Sequence, residues 1–436
     1  MTKLLWLQSA LFFTTHLLLS QNIGHFVSVK PLNTQPDSFI IPTTHTFQYL
    51  LKTGDSLNDQ RKASTHFDFT GYIPIQNSSE GWLSISSEKE NAEVIILHIK
   101  LDSNGLWNIE TSGKVDFYSP NFKQNLAKVS NFCSGGVMPW GTVVVAEENC
   151  KNGDANKDGY EDLGWLIEIN PFKRQIMEQK GVPQKLWKMG RMQHENLCID
   201  SDLKTCYYGA DSKEFGYLYK YICKKKGDLT NGKLYVLKMN GDVKATSGKW
   251  IRLPNHTKED CNQTNQLAKK AGATHFAGIE DVEIGKDHKV YFSAKYSGRV
   301  YRFKDMGSET SENEIFVDDT LYKINYNNGE TEVDFHTGDT GADNLAFDID
   351  GNLWILNDGG NNQIWVADKS HTPQKPQMRL FAETPTGCEP TGITFSPDGK
   401  YLFLSLQNPK ASGIQTDKAG KQIKFNVSHT LVISRK

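Results

Sequence analysis

The run Asn344-Leu-Ala-Phe-Asp348-Ile-Asp350-Gly351-Asn-Leu-Trp354-Ile-Leu356 decides the fold. An apolar β-type run reaches Asp348, Asp350-Gly351 supplies a turn, and a second apolar run follows. Asp-Gly accepts the positive φ of a tight hairpin, which favours an antiparallel pair. The same pattern recurs at 391–395, turn Asp398-Gly399, then 400–406, and at 279–284 followed by 289–293. Further short β-type runs occupy 93–97, 142–146, 165–169 and 233–237. Hairpins repeated every few tens of residues are the pattern of propeller blades. We therefore expect an all-β β-propeller with a few short helices and inserted loops. Helical patterning is confined to 183–194 and 258–271, and 408–424 reads as loop.

Composition agrees. The 436 residues carry 36 glycines, 15 prolines and 11% aromatics, as a turn-rich β protein does. Hydrophobic residues make up 38% of the chain, enough for a core. The 49 basic and 51 acidic residues nearly cancel, so nothing suggests a nucleic-acid partner. Residues 1–20 read as an export signal, with Lys3 the only charge before Lys30 and an interrupted apolar stretch after it. The remaining reading is an N-terminal arm over 21–63 and the propeller over 64–436. We expect a secreted or periplasmic monomer with no stable membrane span after signal removal.

Export gives the seven cysteines meaning, because exported thiols tend to pair. Cys198 and Cys206 are close enough for a local bridge, Cys223 and Cys261 could close a larger loop, and an odd thiol is left over. Asp154-Ala-Asn156-Lys-Asp158-Gly159-Tyr160-Glu-Asp162 spaces oxygens as a calcium loop does, with Asp154, Asn156, Asp158 and Asp162 as side-chain ligands and Tyr160 through its carbonyl. The twelfth position is Trp165 rather than Glu, so an EF-hand is not expected. Near the middle stands Asn131-Phe-Cys133-Ser-Gly-Gly136, then Pro139-Trp-Gly141 and a strand ending in Glu147-Glu148. A thiol and carboxylates meeting across a turn suit a metal site, iron most naturally; a disulfide cysteine beside two solvated acids is the alternative. In a propeller, Asp211, Glu280, Asn344 and Glu389 all open or close strands near one channel.

As an ordered set, these segments resemble the PhoX-type alkaline phosphatase family. The carriers are the Cys133 and Glu148 segment, Gly190-Arg191…His194-Glu195, Asp211…Tyr219, the Asn344–Trp354 hairpin, and Glu389-Pro-Thr-Gly392…Gln407-Asn-Pro409. The resemblance implies a six-bladed propeller, and hydrolysis of small-molecule phosphate monoesters by an oxo-bridged cluster of Fe3+ and Ca2+. It implies Cys133 as the iron thiolate, with Glu195 and Glu280 shared by the metals. Glu88, Glu148, Asp211 and Glu389 would be further ligands, and Glu195, Glu280 and Asp211 the catalytic set. Three departures stand out. The family's Arg-Pro-Glu is Gly278-Ile279-Glu280, the Asn of Asn-His-Glu is Ser86, and the His of Gln-His-Pro is Asn408. Arg191, Lys213 and Lys295 are candidates to replace the missing guanidinium, and an arginine restored at 278 is expected to raise turnover. Other readings remain: a calcium-dependent propeller of lactonase or arylesterase type, or a non-catalytic secreted propeller that recognises a partner.

Overall fold

The computed structural model describes residues 22–436 except 77, 118–127, 180–181 and 337–340; the expected signal lies outside them. The chain is all-β with few helices, in a propeller-like arrangement of four separate four-stranded sheets and one nine-stranded sheet.

The first sheet is an antiparallel meander of Phe67–Gln76, Glu80–Ser87, Val94–Leu101 and Trp107–Lys114. The second holds Phe132–Val137, Val143–Glu147, Leu166–Asn170 and Gln175–Ile176. The nine-stranded sheet begins at Cys198–Ile199 and Thr205–Gly209 and ends at Lys289–Ala294 and Ile279–Ile284. Another sheet runs Ala342–Phe347, Leu353–Asn357, Ile364–Ala367, Met378–Ala382. The last pairs Glu389–Phe395, Tyr401–Gln407 and His429–Arg435 with His45–Lys52. The expected N-terminal arm thus lends a strand to the sheet that ends the chain. That stitch closes the circle and protects edges that would otherwise stand open.

Packing explains why these strands are apolar on both faces. Val143–Glu147 and Leu353–Asn357 are buried throughout, because each sheet is sandwiched between two others. Apolar clusters fill the gaps in turn. Phe69, Ile96, Val145 and Ile167 lie between the first and second sheets, and Trp354, Phe381, Leu404 and Ile433 between the last two. Leu83, Ile95, Trp107, Phe403 and Val432 join the last sheet to the first. Each large side chain buried this way contributes roughly 1.5–3 kcal/mol. Trp354 and Phe403 belong to this packing, and Trp165 is buried against Tyr160 and Trp187.

The helical expectations hold in part. The segment 258–271 forms Lys258–Asn262 and Thr264–Ala271, opened by a Thr257–Asp260 capping box and closed by Gly272 in the left-handed region. The segment 183–194 forms only the 3-10 turn Trp187–Met189. There Lys185 is drawn inward to pair with buried Glu147 at 2.7 Å. Residues 408–424 hold a small hairpin, Ile414–Thr416 with Gln422–Lys424. No helix among the described residues is long and apolar enough to cross a membrane.

Candidate metal centre

The strands facing the centre share one irregularity. In the first sheet Phe67 pairs with Ser87, and the register then slips before Thr70. The same slip follows Phe132–Glu147, Ile279–Ala294 and Ala342–Asn357. An extra residue in a bulge re-aims a side chain. The residue after each paired position is Asp68, Cys133, Glu280 and Asp343. His194 bridges Ala210 in like manner, and Glu195 follows it.

The adjacent strands end with matching regularity. The amides of Glu88, Glu148, Asp211, Lys295 and Asp358 donate to the carbonyls of His66, Asn131, Gln193, Gly278 and Gly341, at 2.8–3.0 Å. Each hairpin therefore presents two polar side chains at the same end. The closing sheet adds Glu389, which pairs with Gln407.

These side chains converge. Asp68, Glu88 and Cys133 offer ligand atoms within 4.8 Å of one another. So do Cys133, Glu148 and Glu195; Glu195, Asp211 and Glu280; and Asp343, Asp358 and Glu389. Cys133, Glu88, Glu148, Glu195, Asp211 and Glu280, all expected as ligands, thus form one continuous array, and Glu389 stands in a neighbouring group. Asp68, Asp343 and Asp358 were missed. The available signal was the repeated apolar-then-acid step Phe67-Asp68, Ile279-Glu280 and Ala342-Asp343.

The array is short of positive charge. Glu195 is 1% exposed, and neither of its oxygens completes a hydrogen bond among the described residues, although the Cys133 thiol lies alongside. Asp68 Oδ1 and Asp211 Oδ1 are likewise without a partner. Burial pushes Glu148 up to about 8, with Glu88 and Asp211 adding repulsion. Burial also drives Glu195, Glu280 and Asp68 well above the carboxylate range, each helped by acidic neighbours. The Cys133 thiol is raised by burial and by Asp68. So many acids can be ionised together only beside cations, and buried oxygens left unpaired are what such cations would satisfy.

Supporting contacts fix the array. Gln407 Nε2 donates to Asp68 Oδ2 at 3.0 Å and to Glu88 Oε2 at 3.2 Å. Ser86 donates to the carbonyls of Phe132 and Cys133, so this departure from the family pattern stays structural. Asn408 donates to Gln407 Oε1 at 3.0 Å.

A family profile described as alkaline phosphatase PhoX matches residues 104–410. The chain belongs to the PhoX alkaline phosphatase family. Pseudomonas fluorescens PhoX in complex with vanadate, a transition state analogue, superposes with a TM-score of 0.71 at 19% identity, covering 94% of this chain and 98% of that one. This likeness shows a shared fold. The PQQ-bound aldose sugar dehydrogenase of Streptomyces coelicolor gives a TM-score of 0.40 at 11% identity, covering 91% and 100%. A putative 6-phosphogluconolactonase of Bacteroides fragilis gives 0.39 at 13%, covering 82% and 84%. At those scores neither carries an argument about function. Among curated proteins none matches the sequence.

Of the three candidates to replace the family arginine, Arg191 is bonded to the carbonyls of Leu163 and Cys150, and Lys213 lies over the Tyr296 ring. Lys295 ion-pairs with carboxylates of the site. Position 278 offers no room for an arginine. Gly278 has φ +76°, and an added Cβ would meet the Tyr296 ring at 2.5 Å and Asp211 Oδ1 at 2.7 Å. An arginine there would crowd Tyr296 and Asp211, so it is not expected to raise turnover.

The calcium-loop residues stand apart from the array. Asp154 accepts from the amides of Asp158 and Gly159, Asp158 from Tyr160, and Asp162 from Ala155. Asn156 Oδ1 accepts from the Asp158 amide, and the Tyr160 ring stacks on Trp187. Asp154, Asp158 and Asp162 are in none of the close ligand groups found among the described residues.

All seven cysteines are free thiols. The Cys198–Cys206 bridge fails because Ile199, not Cys198, is opposite Cys206, so the two thiols point to opposite faces. The Cys261 thiol turns to the Asn255 carbonyl instead of Cys223.

Proposed function

We propose that this protein is an exported phosphatase that hydrolyses phosphate monoesters with an iron–calcium centre in the channel of a six-bladed propeller, the nine-stranded sheet counting as two blades. The observation that carries it is the continuous array from Asp68 to Glu280, buried, acidic, built around one thiol and left with unpaired oxygens.

The donor set fits both metals. A thiolate at Cys133 favours iron, while Glu88, Glu148, Glu195, Asp211 and Glu280 are hard oxygen donors suited to calcium or shared use. Bound metals would supply charge to neutralise phosphoryl oxygens and to acidify a water at neutral to alkaline pH. The chain's residues do the rest. Gln407 holds Asp68 and Glu88 in one orientation. Tyr296 supports Asp211 from the Gly278 side. Lys295 adds a fixed positive charge at the rim of the same pocket. No nucleophilic serine elbow is needed. Residues 1–20 as an export signal would deliver the chain to a calcium-rich, secreted or periplasmic setting, where it would act as a monomer. The lactonase-type alternative gives Cys133 no role.

Metal analysis of the purified protein, alongside turnover of a phosphate monoester, tests this. Iron and calcium with turnover are expected. Cys133→Ser should lose most of the iron, and Glu195→Ala should lose metal and activity together. Full iron loading with no turnover of any phosphate ester would overturn the phosphatase reading.

A further inference from the structure

The five matched positions that end the second strands are not alike. Four are carboxylates: Glu88, Glu148, Asp211 and Asp358. The fifth is Lys295, whose amide makes the same bond to the preceding strand, to Gly278 at 2.8 Å. A cation therefore stands where the repeat elsewhere places an anionic ligand.

Its surroundings are those of a bound metal. Lys295 Nζ lies 3.2 Å from Glu280 Oε1, 3.0 Å from Asp358 Oδ2 and 3.5 Å from Asp343 Oδ2. Asp343, Asp358 and Glu389 bring oxygens within 4.8 Å of one another around that end of the pocket. The lysine side chain is 14% exposed. It enters from the tight turn Lys295–Ser297, which Gly298 closes with φ +60°. Among the described residues, no lysine or arginine forms an ion pair with Asp68, Glu88, Glu148, Glu195 or Asp211. The acidic array is thus divided into an end with a built-in cation and an end without one.

We infer that the Lys295 ammonium is a resident cation of the channel, taking the place of a divalent ion between Glu280, Asp343 and Asp358 and confining bound metals to the half built by Asp68, Glu88, Cys133, Glu148, Glu195 and Asp211, with Glu280 at the boundary of the two. The inference rests on the metal-centre reading above. An ammonium offers three donors to surrounding oxygens but only a single charge, and it cannot leave. A calcium ion in the same place would need six to eight oxygens at 2.3–2.6 Å, and the ammonium would repel it.

Calcium and iron per chain, counted by elemental analysis after purification in calcium, test this. Lys295→Met removes the charge, and Lys295→Glu restores the carboxylate of the other repeats. Both are expected to hold about one more calcium per chain than wild type. Equal calcium counts would overturn the inference. Asp358→Asn in the wild-type background gives an independent answer should the lysine variants fold poorly. Its calcium count is expected to stay unchanged, and loss of one calcium would show that a metal, not Lys295, occupies the place. Iron is read from the same samples. An iron-free wild type overturns the cluster reading, while the calcium difference between wild type and variants still decides the role of Lys295.

Discussion

The side-chain amide of Gln407 reaches Asp68 Oδ2 at 3.0 Å, although the two residues lie 339 positions apart. The same nitrogen lies 3.2 Å from Glu88 Oε2. One neutral donor from the closing sheet thus orients two carboxylates of the first sheet beside Cys133. Groups that orient ligands typically account for about 10–100-fold in metal affinity. Gln407→Leu should weaken iron and calcium binding by about that factor, while Gln407→Glu should do worse by adding a further negative neighbour. Metal titrations of the two variants against wild type check this; unchanged affinities would deny Gln407 its positioning role.

Gly278 is a second point of control. With φ +76° and Tyr296 and Asp211 packed over its Cα, any side chain is strained and crowded. Gly278→Ala and Gly278→Arg are both expected to destabilise the fold, on the order of 1–3 kcal/mol for the backbone alone. Both should also displace Asp211. Thermal melting with metal content is the measurement, and an active, metal-replete Gly278→Arg protein would contradict it.

Away from the channel, Glu383 joins the N-terminal arm to the sheet containing Ala342–Phe347. Its Oε1 accepts from the Leu32 amide at 2.9 Å and from Gln363 at 2.8 Å, while Oε2 has no partner. Burial pushes its carboxyl up to about 7, from 4.5. A carboxyl raised on folding binds more protons in the native state. Its contribution to stability is therefore complete below about 4.5 and is lost as pH rises through about 7. Glu383→Gln should remove that pH dependence and melt higher than wild type at alkaline pH. Parallel melting curves across this range would show that Glu383 does not titrate there.

The loop from Asp154 to Asp162 carries a calcium prediction of its own. Gly159 has φ +86° at the bend, and the Asp154 and Asp158 carboxylates already gather loop amides. Calcium that binds only the folded loop raises the melting temperature by mass action. Asp158→Ala should reduce the calcium-induced rise and hardly change melting in chelator. Equal shifts in both conditions would count against a calcium site there.

Much of the site was legible before any coordinates. Cys133, Glu148, Glu195, Asp211, Glu280 and Glu389 each stand in a local pattern of glycine, aromatic or proline neighbours. Asp68, flanked by Phe67 and Phe69, and Asp358, followed by Gly359-Gly360, have such neighbours too, but nothing along the chain ties them or Asp343 to one pocket. Asp68 and Asp343 are aimed by bulges, and a bulge is a mismatch between two strands that neither strand reveals alone; Asp358 stands at the strand end opposite one of them. The disulfide expectation failed for a related reason. Cys198 and Cys206 are close in sequence, but strand register sends them to opposite faces.

The hairpins follow from local sequence, because Asp-Gly turns and alternating apolar runs act over a few residues and set local geometry wherever they occur. So does the recurrence of acids and a thiol at strand ends. Which of those groups share a pocket, that Tyr296 fills the space beside Gly278, and that Lys295 faces Asp343 and Asp358 instead of solvent are set by packing between distant sheets. Those relationships arise when sheets pack around a common centre, and the burial and charge they create exist only once distant strands have met.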